Sequence, residues 1–144
     1  MLKGLSALLD ADLLFVLAAM GHGDELAIVD ANFPAQAMAR RLVRVSGADA
    51  AAVLAAVLTV LPVDDFDDAP AAIMAPVKGF DGKNYGAEPF PAILKAAEGR
   101  EVKIAALERK AFYERAKAAY AIVATAERKL YGNIILRKGV VRPS

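Results

Sequence analysis

The chain has 144 residues, a length that one domain accounts for, and its 18 basic and 17 acidic residues leave a net charge of +1. That balance lacks the basic stripe a nucleic-acid binder needs, and Arg137, Lys138 and Arg142 near the end read as solvated charges. There are no cysteines, which removes disulfides and thiolate metal cages and fits a reducing cytoplasm.

In chain order, DADLLFVLAAMG (10–21) predicts a helix, with Asp10 as N-cap and Gly21 in the left-handed position at its end. Asp10 and Asp12 interrupt its apolar residues, against a signal peptide. ELAIV (25–29) is a continuous apolar run of the kind that forms a strand buried on both faces. DANFPA (30–35) predicts a loop, since Pro34 forces Phe33 to be extended. RLVRV (41–45) predicts a second strand. A strong helix spans 47–61, capped by Asp49 or Ser46 and stopped by Pro62; the apolar run 50–63 is too short to cross a bilayer.

PVDDFDDAP (62–70) predicts an acidic turn and AAIMAPV (71–77) a third strand. KGFDGKNYGAEP (78–89) has the composition of a loop. Residues 89–98 predict a helix ended by Gly99, and VKIAAL (102–107) a strand. KAFYERAKAA (110–119) is helical by propensity. YAIVATA (120–126) and NIILRKGVV (133–141) predict two closing strands. This alternation predicts a single α/β domain over 1–144, three-layer α/β/α with a largely parallel central sheet. Ligands in such folds lie outside the carboxyl ends of strands, which directs attention to Asp30, directly after ELAIV.

The hydrophobic fraction, 57% with mean hydropathy +0.36, exceeds what one small core needs. It predicts a homo-oligomer that buries apolar faces between subunits, with an Ala-rich globular monomer as the alternative.

The one histidine, His22, stands between Gly21 and Gly23. Imidazole is the side chain suited to exchange protons near neutral pH, and the flanking glycines leave room beside its ring. The alternative is a histidine that stabilises the preceding helix C-terminus by its partial charge. A metal site is not expected, since Asp24 and Asp30 make no known ligand spacing with one histidine. GHG is neither a dinucleotide nor a phosphate loop, and Ser6, Ser46 and Ser144 are poorly placed for a catalytic triad. Toward the C-terminus, Arg109 at a strand end and the turn Tyr131-Gly132-Asn133 join Asp30 as groups that can hydrogen-bond sugar hydroxyls. Asn133 and Gly132 as mere turn formers are the alternative. Tyr113 is assigned to helix packing, and Glu114 with Arg115 to a surface charge pair or an interface contact.

Together, MLKGL, LAAMGHGDELAIVDANFPA and FYERAKAAYAIVATAE…YGNIILRKGVV resemble the RbsD/FucU family, whose members interconvert ring forms of free monosaccharides. The resemblance runs from residue 1 to about 141 and lies closer to the fucose mutarotase branch than to the ribose pyranase branch. Residues 78–100 match poorly. Ala126 stands where the fucose branch usually has glycine. The resemblance implies that His22 transfers a proton, that Asp30, Arg109, Tyr131 and Asn133 contact the sugar, and that ring-like oligomers place sites near subunit contacts. The chemistry needs no cofactor or metal. The anomeric hydroxyl loses a proton, the ring oxygen gains one, and the ring recloses on the other face. His22 would serve one proton, and Tyr131 or a held water the other. The competing readings are a D-ribose pyranase and a non-catalytic sugar-binding transport accessory protein. Neither nucleic acid nor membrane is expected as a partner.

Spacing adds a constraint. His22 and Asp30 flank ELAIV, and five extended residues cover about 16 Å. Either the GHG turn folds back over the sheet, or the two residues serve different pockets, each completed by a neighbouring subunit.

Overall fold

The computed structural model describes residues 1–144. Its helices are α1 (Ala11–Ala19), α2 (Ala35–Met38), α3 (Ala50–Leu58), α4 (Phe90–Glu98) and α5 (Arg109–Ala118). Its strands are β1 (Glu25–Val29), β2 (Leu42–Val45), β3 (Ala71–Met74), β4 (Ile104–Leu107), β5 (Ala121–Thr125) and β6 (Ile134–Arg137). The strands form one sheet in the order β2-β5-β1-β6-β3-β4. β6 runs antiparallel to both its neighbours, β1 and β3, and the remaining pairs are parallel. The largely parallel sheet is therefore observed, with one reversed strand in its interior.

The apolar run of β1 is explained by its position. It lies between β5 and β6, with Leu26 opposite Ala121 on one side and Leu136 on the other. Alternation then divides its side chains between two cores. Leu26 and Ile28 join Leu13 and Leu17 of α1, Val53 and Leu54 of α3, and Phe90 and Leu94 of α4. Ala27 and Val29 join Phe112 and Ala116 of α5 and Ala35 of α2. Helices thus cover both faces, giving the three expected layers. No helix is long and apolar enough to cross a membrane.

Local chemistry sets most helix ends. The Asp10 side chain accepts from the Leu13 N–H and that of Asp49 from the Ala52 N–H, so Asp49 and not Ser46 caps α3. Gly99 ends α4 at φ +70°. Three expectations change. Gly21 does not adopt the left-handed position after α1; Met20 leaves the helix extended, and Gly23 takes the positive φ, +88°. The ammonium of Lys138 does the capping instead, donating to the carbonyls of Leu17 (2.8 Å) and Met20 (2.6 Å). Arg109 does not end a strand but begins α5, whose N-cap is Glu108. Arg115 does not pair with Glu114; it reaches across to Glu25 of β1 at 2.6 Å, and Glu114 pairs with Lys117 at 3.2 Å.

Candidate active site

The candidate side chains lie at both ends of the sheet. At the carboxyl end of β1, Asp30 turns the chain. Its N–H donates to Asn133 Oδ1 at 2.8 Å, and its Oδ1 accepts from the Asn32 N–H at 3.0 Å. Because β6 runs opposite to β1, Asn133, just before β6, lies beside Asp30, just after β1. Tyr131 precedes them at φ +59°, a left-handed angle that tyrosine rarely adopts. Its hydroxyl accepts from the Val77 N–H at 3.2 Å, and Phe80 packs edge-on against its ring at 5.0 Å.

The loop 78–88 shapes this site. Its Asn84 carbonyl accepts from the Leu130 N–H at 3.0 Å, and its Gly86 N–H donates to the Leu130 carbonyl at 2.7 Å. A side chain at Gly86 would put its Cβ 2.6 Å from Gly132 Cα, so this close approach of the two backbones requires glycine at 86, and a Cβ at Gly132 would instead come within 2.7 Å of the Glu127 side chain. Ala126 sits at no positive φ, so its backbone angle is not one that calls for glycine.

Asp30, Arg109, Tyr113, Tyr131 and Asn133 line one cavity of about 190 Å³. Tyr113 therefore does more than pack; its ring meets Phe33 edge-on at 5.3 Å and also faces this cavity. Asp30 is 6% exposed. Burial pushes its carboxyl above the ordinary carboxylate range, and hydrogen bonds from Asn133 and the Asn32, Gly132 and Phe33 backbone offset that only in part.

His22 lies elsewhere. The GHG turn does not fold back over the sheet; it stays at the amino end of β1. The Gly21 N–H donates to Asp24 Oδ2 at 2.7 Å. The Gly23 N–H donates to the Lys138 carbonyl, and the Lys138 N–H to the Asp24 carbonyl, both at 2.9 Å. The imidazole lines an open cavity of about 550 Å³ with Asp64, Phe66, Asp67 and Arg137. Its Nε2 lies 3.1 Å from Asp64 Oδ1, and its ring centroid 5.2 Å from that of Phe66. The imidazole is 47% exposed and the Asp64 side chain 4%.

Within one chain, then, Asp30, Arg109, Tyr131 and Asn133 come together, and His22 does not join them. Asp64, beside His22, was not singled out in the sequence, and Tyr113, on the cavity wall, was assigned to packing alone. Asp64 lies 42 positions from His22, so no local spacing announces the pair.

At the carboxyl edge of the mostly parallel sheet, then, one small cavity gathers a buried carboxyl, two phenols, a guanidinium and an amide beside the apolar side chains of Phe33, Met74 and Leu130. The chain matches the model of the RbsD / FucU transport protein family over residues 3–141. It is 45% identical to the Homo sapiens fucose mutarotase, with 97% of this chain and 94% of that protein covered. It is 41% identical to the Histophilus somni (strain 2336) L-fucose mutarotase, with 97% of each covered. The crystal structure of the Streptococcus pneumoniae fucose mutarotase in complex with L-fucose superposes with a TM-score of 0.91 at 39% identity, covering 98% of this chain and 100% of that one. The chain belongs to the RbsD/FucU family.

Proposed function

We propose that this protein is an isomerase of the cytoplasm that interconverts the α and β anomers of free L-fucose by acid–base opening and reclosure of the sugar ring. Its full-length likeness to a fucose mutarotase solved with L-fucose carries the reading. Asp30, Arg109 and Asn133 hold the sugar hydroxyls, His22 transfers the proton of the anomeric hydroxyl, and Tyr131 or a held water serves the ring oxygen. Positioned proton transfer of this kind supplies about 10²- to 10⁴-fold.

The working site combines two copies of the chain. The Asp30 cavity, about 190 Å³, falls below the roughly 300–1,000 Å³ of ordinary ligand pockets. His22 sits at the far end of β1, about 16 Å away along the strand. The surfaces around the two half-sites differ in charge: Asp68 joins the paired carboxylates Asp64, Asp65 and Asp67 on one, and lysine and arginine outnumber Asp81 on the other. His22 is flanked by the acidic turn 64–68 and by Phe66, which is 67% exposed. Beside Tyr131 opens a cleft bearing Lys83, Arg128 and Lys129, with Leu130 48% exposed. Docking the acidic, aromatic turn of one subunit against the basic cleft of the next brings His22 to Tyr131 and Asn133, and such a head-to-tail contact builds a ring where the rotation closes.

Saturation-transfer NMR on a panel of free sugars tests the activity. Exchange between α- and β-L-fucose faster than the spontaneous rate is expected. Enhanced pyranose–furanose exchange of D-ribose alone would make the protein a pyranase, and line broadening without exchange a binder.

A further inference from the structure

A tyrosine at φ +59°, as Tyr131 is, keeps that angle only where its surroundings enforce it. The loop between β3 and α4 does so at two points. Its Asn84 carbonyl and Gly86 N–H hold the backbone of Leu130, the residue before Tyr131. At the loop's start, a four-residue turn grips the phenol itself. The Phe80 N–H donates to the Val77 carbonyl at 3.1 Å. Gly79, third in that turn, takes φ +90°, the sign that a type II turn requires there. Both ends of the turn then meet one side chain. Val77, its first residue, donates its N–H to the Tyr131 hydroxyl at 3.2 Å. Phe80, its fourth, sets its ring edge-on against the Tyr131 ring at 5.0 Å and rests in turn on Tyr85 at 6.0 Å.

A phenol oxygen accepts and donates at once. With the Val77 N–H on its accepting side, the Tyr131 O–H remains to donate into the cavity that Tyr131 lines with Asp30, Arg109, Tyr113 and Asn133. A phenol that gives up its proton becomes an anion, and an N–H bonds an anionic oxygen more strongly than a neutral one. The Val77 N–H thus gains strength as the proton leaves, so its contribution falls on the transition state more than on sugar binding.

We propose that the turn Val77–Phe80 positions Tyr131 for proton transfer: the Val77 N–H orients the phenol and stabilises its phenolate, and the Phe80 ring fixes the plane of the Tyr131 ring. The inference rests on the mutarotase reading and makes Tyr131, in place of a held water, the group that serves the ring oxygen. The Tyr131 proton moves to the ring oxygen as the bond from the anomeric carbon to that oxygen breaks, and its O–H electron pair stays on the phenolate. His22 takes the proton of the anomeric hydroxyl, whose O–H pair closes the aldehyde C=O. Reclosure on the opposite face runs both transfers backward and restores every proton.

The test is anomer-exchange kinetics on the full-length protein, with circular dichroism and assembly state measured for each variant. Val77→Pro removes the N–H at a residue 58% exposed. Phe80→Leu removes the aromatic ring and Phe80→Tyr keeps it. Val77→Pro and Phe80→Leu are each expected to lower kcat at least about tenfold with KM within about twofold, and Phe80→Tyr to return most of that loss. Tyr131→Phe is expected to lower kcat as well and to move the Val77 amide proton resonance upfield. An unmoved resonance overturns the proposal. So does unchanged kcat in Phe80→Leu, a raised KM with unchanged kcat, or a loss that Phe80→Tyr does not return. A loss that follows a changed assembly state assigns Phe80 to the subunit contact and overturns it too. Should Val77→Pro not fold, the Phe80 pair and the amide resonance decide. The two levels separate cleanly. Exchange by the wild type with Tyr131→Phe at the same rate ends the role of the turn and leaves the mutarotase reading standing; no exchange by the wild type ends the reading itself.

Discussion

If each site takes His22 from one subunit and the Asp30 cavity from another, two inactive variants repair each other. His22→Ala lacks the proton carrier and Asp30→Asn the buried carboxyl, so each alone leaves every site defective. In an assembly of equal numbers randomly mixed, a site is intact when the subunit giving the imidazole is not His22→Ala and the subunit giving the cavity is not Asp30→Asn. Each condition holds half the time, so about a quarter of sites recover, in a closed ring or in a two-fold dimer alike. The two variants would be co-expressed, mixing verified by native mass spectrometry, and L-fucose anomer exchange read by saturation transfer. Recovery near a quarter of the wild-type rate is expected. Were both residues to act within one chain, every chain would carry a lesion, and a verified mixture would stay at the parental rates. That result would refute the shared site.

Gly86→Ala pushes the Gly132 backbone away from residue 86, and Tyr131 with it, because its Cβ would lie 2.6 Å from Gly132 Cα; a loss of about 1–3 kcal/mol in urea unfolding and a raised KM for L-fucose are expected. Glu25→Gln removes the negative charge shared by Arg115 at 2.6 Å and Arg137 at 3.3 Å and turns one accepting oxygen into a donating amide. These groups are only partly buried, so a loss of about 1–3 kcal/mol by chemical denaturation is expected. Asp30 has its carboxyl raised by burial, so its ionised form costs stability at neutral pH and none below its unfolded pKa of about 3.9. Asp30→Asn should therefore be inactive, melt higher than wild type at pH 7, and lose that advantage as the pH falls toward 4. Ala126→Gly, at a half-buried position whose backbone angle does not call for glycine, should leave L-fucose exchange within about twofold.

What was legible in the sequence was local. Asp10, Asp49 and Gly99 announced helix ends through their own capping chemistry, and the unbroken apolar run of β1 announced burial on both faces. The reversal of β6 was not legible, since strand direction depends on which neighbours a segment meets, and that reversal sets Asn133 beside Asp30. The ending of α1 was misread because Lys138, from the far end of the chain, caps it in place of Gly21. The acidic turn was read as a turn alone. The long-range contacts that bury Asp64 against His22, Arg137 and Arg100 leave no periodicity to find. The distance between His22 and Asp30 was legible, because the span of an extended strand is fixed by covalent geometry.

The most direct measurement of the central claim is saturation transfer between α- and β-L-fucose with wild-type and His22→Ala proteins of matched circular dichroism and assembly state. Accelerated exchange with the wild type and the spontaneous rate with the variant are expected. Exchange by His22→Ala equal to the wild type would contradict the claim.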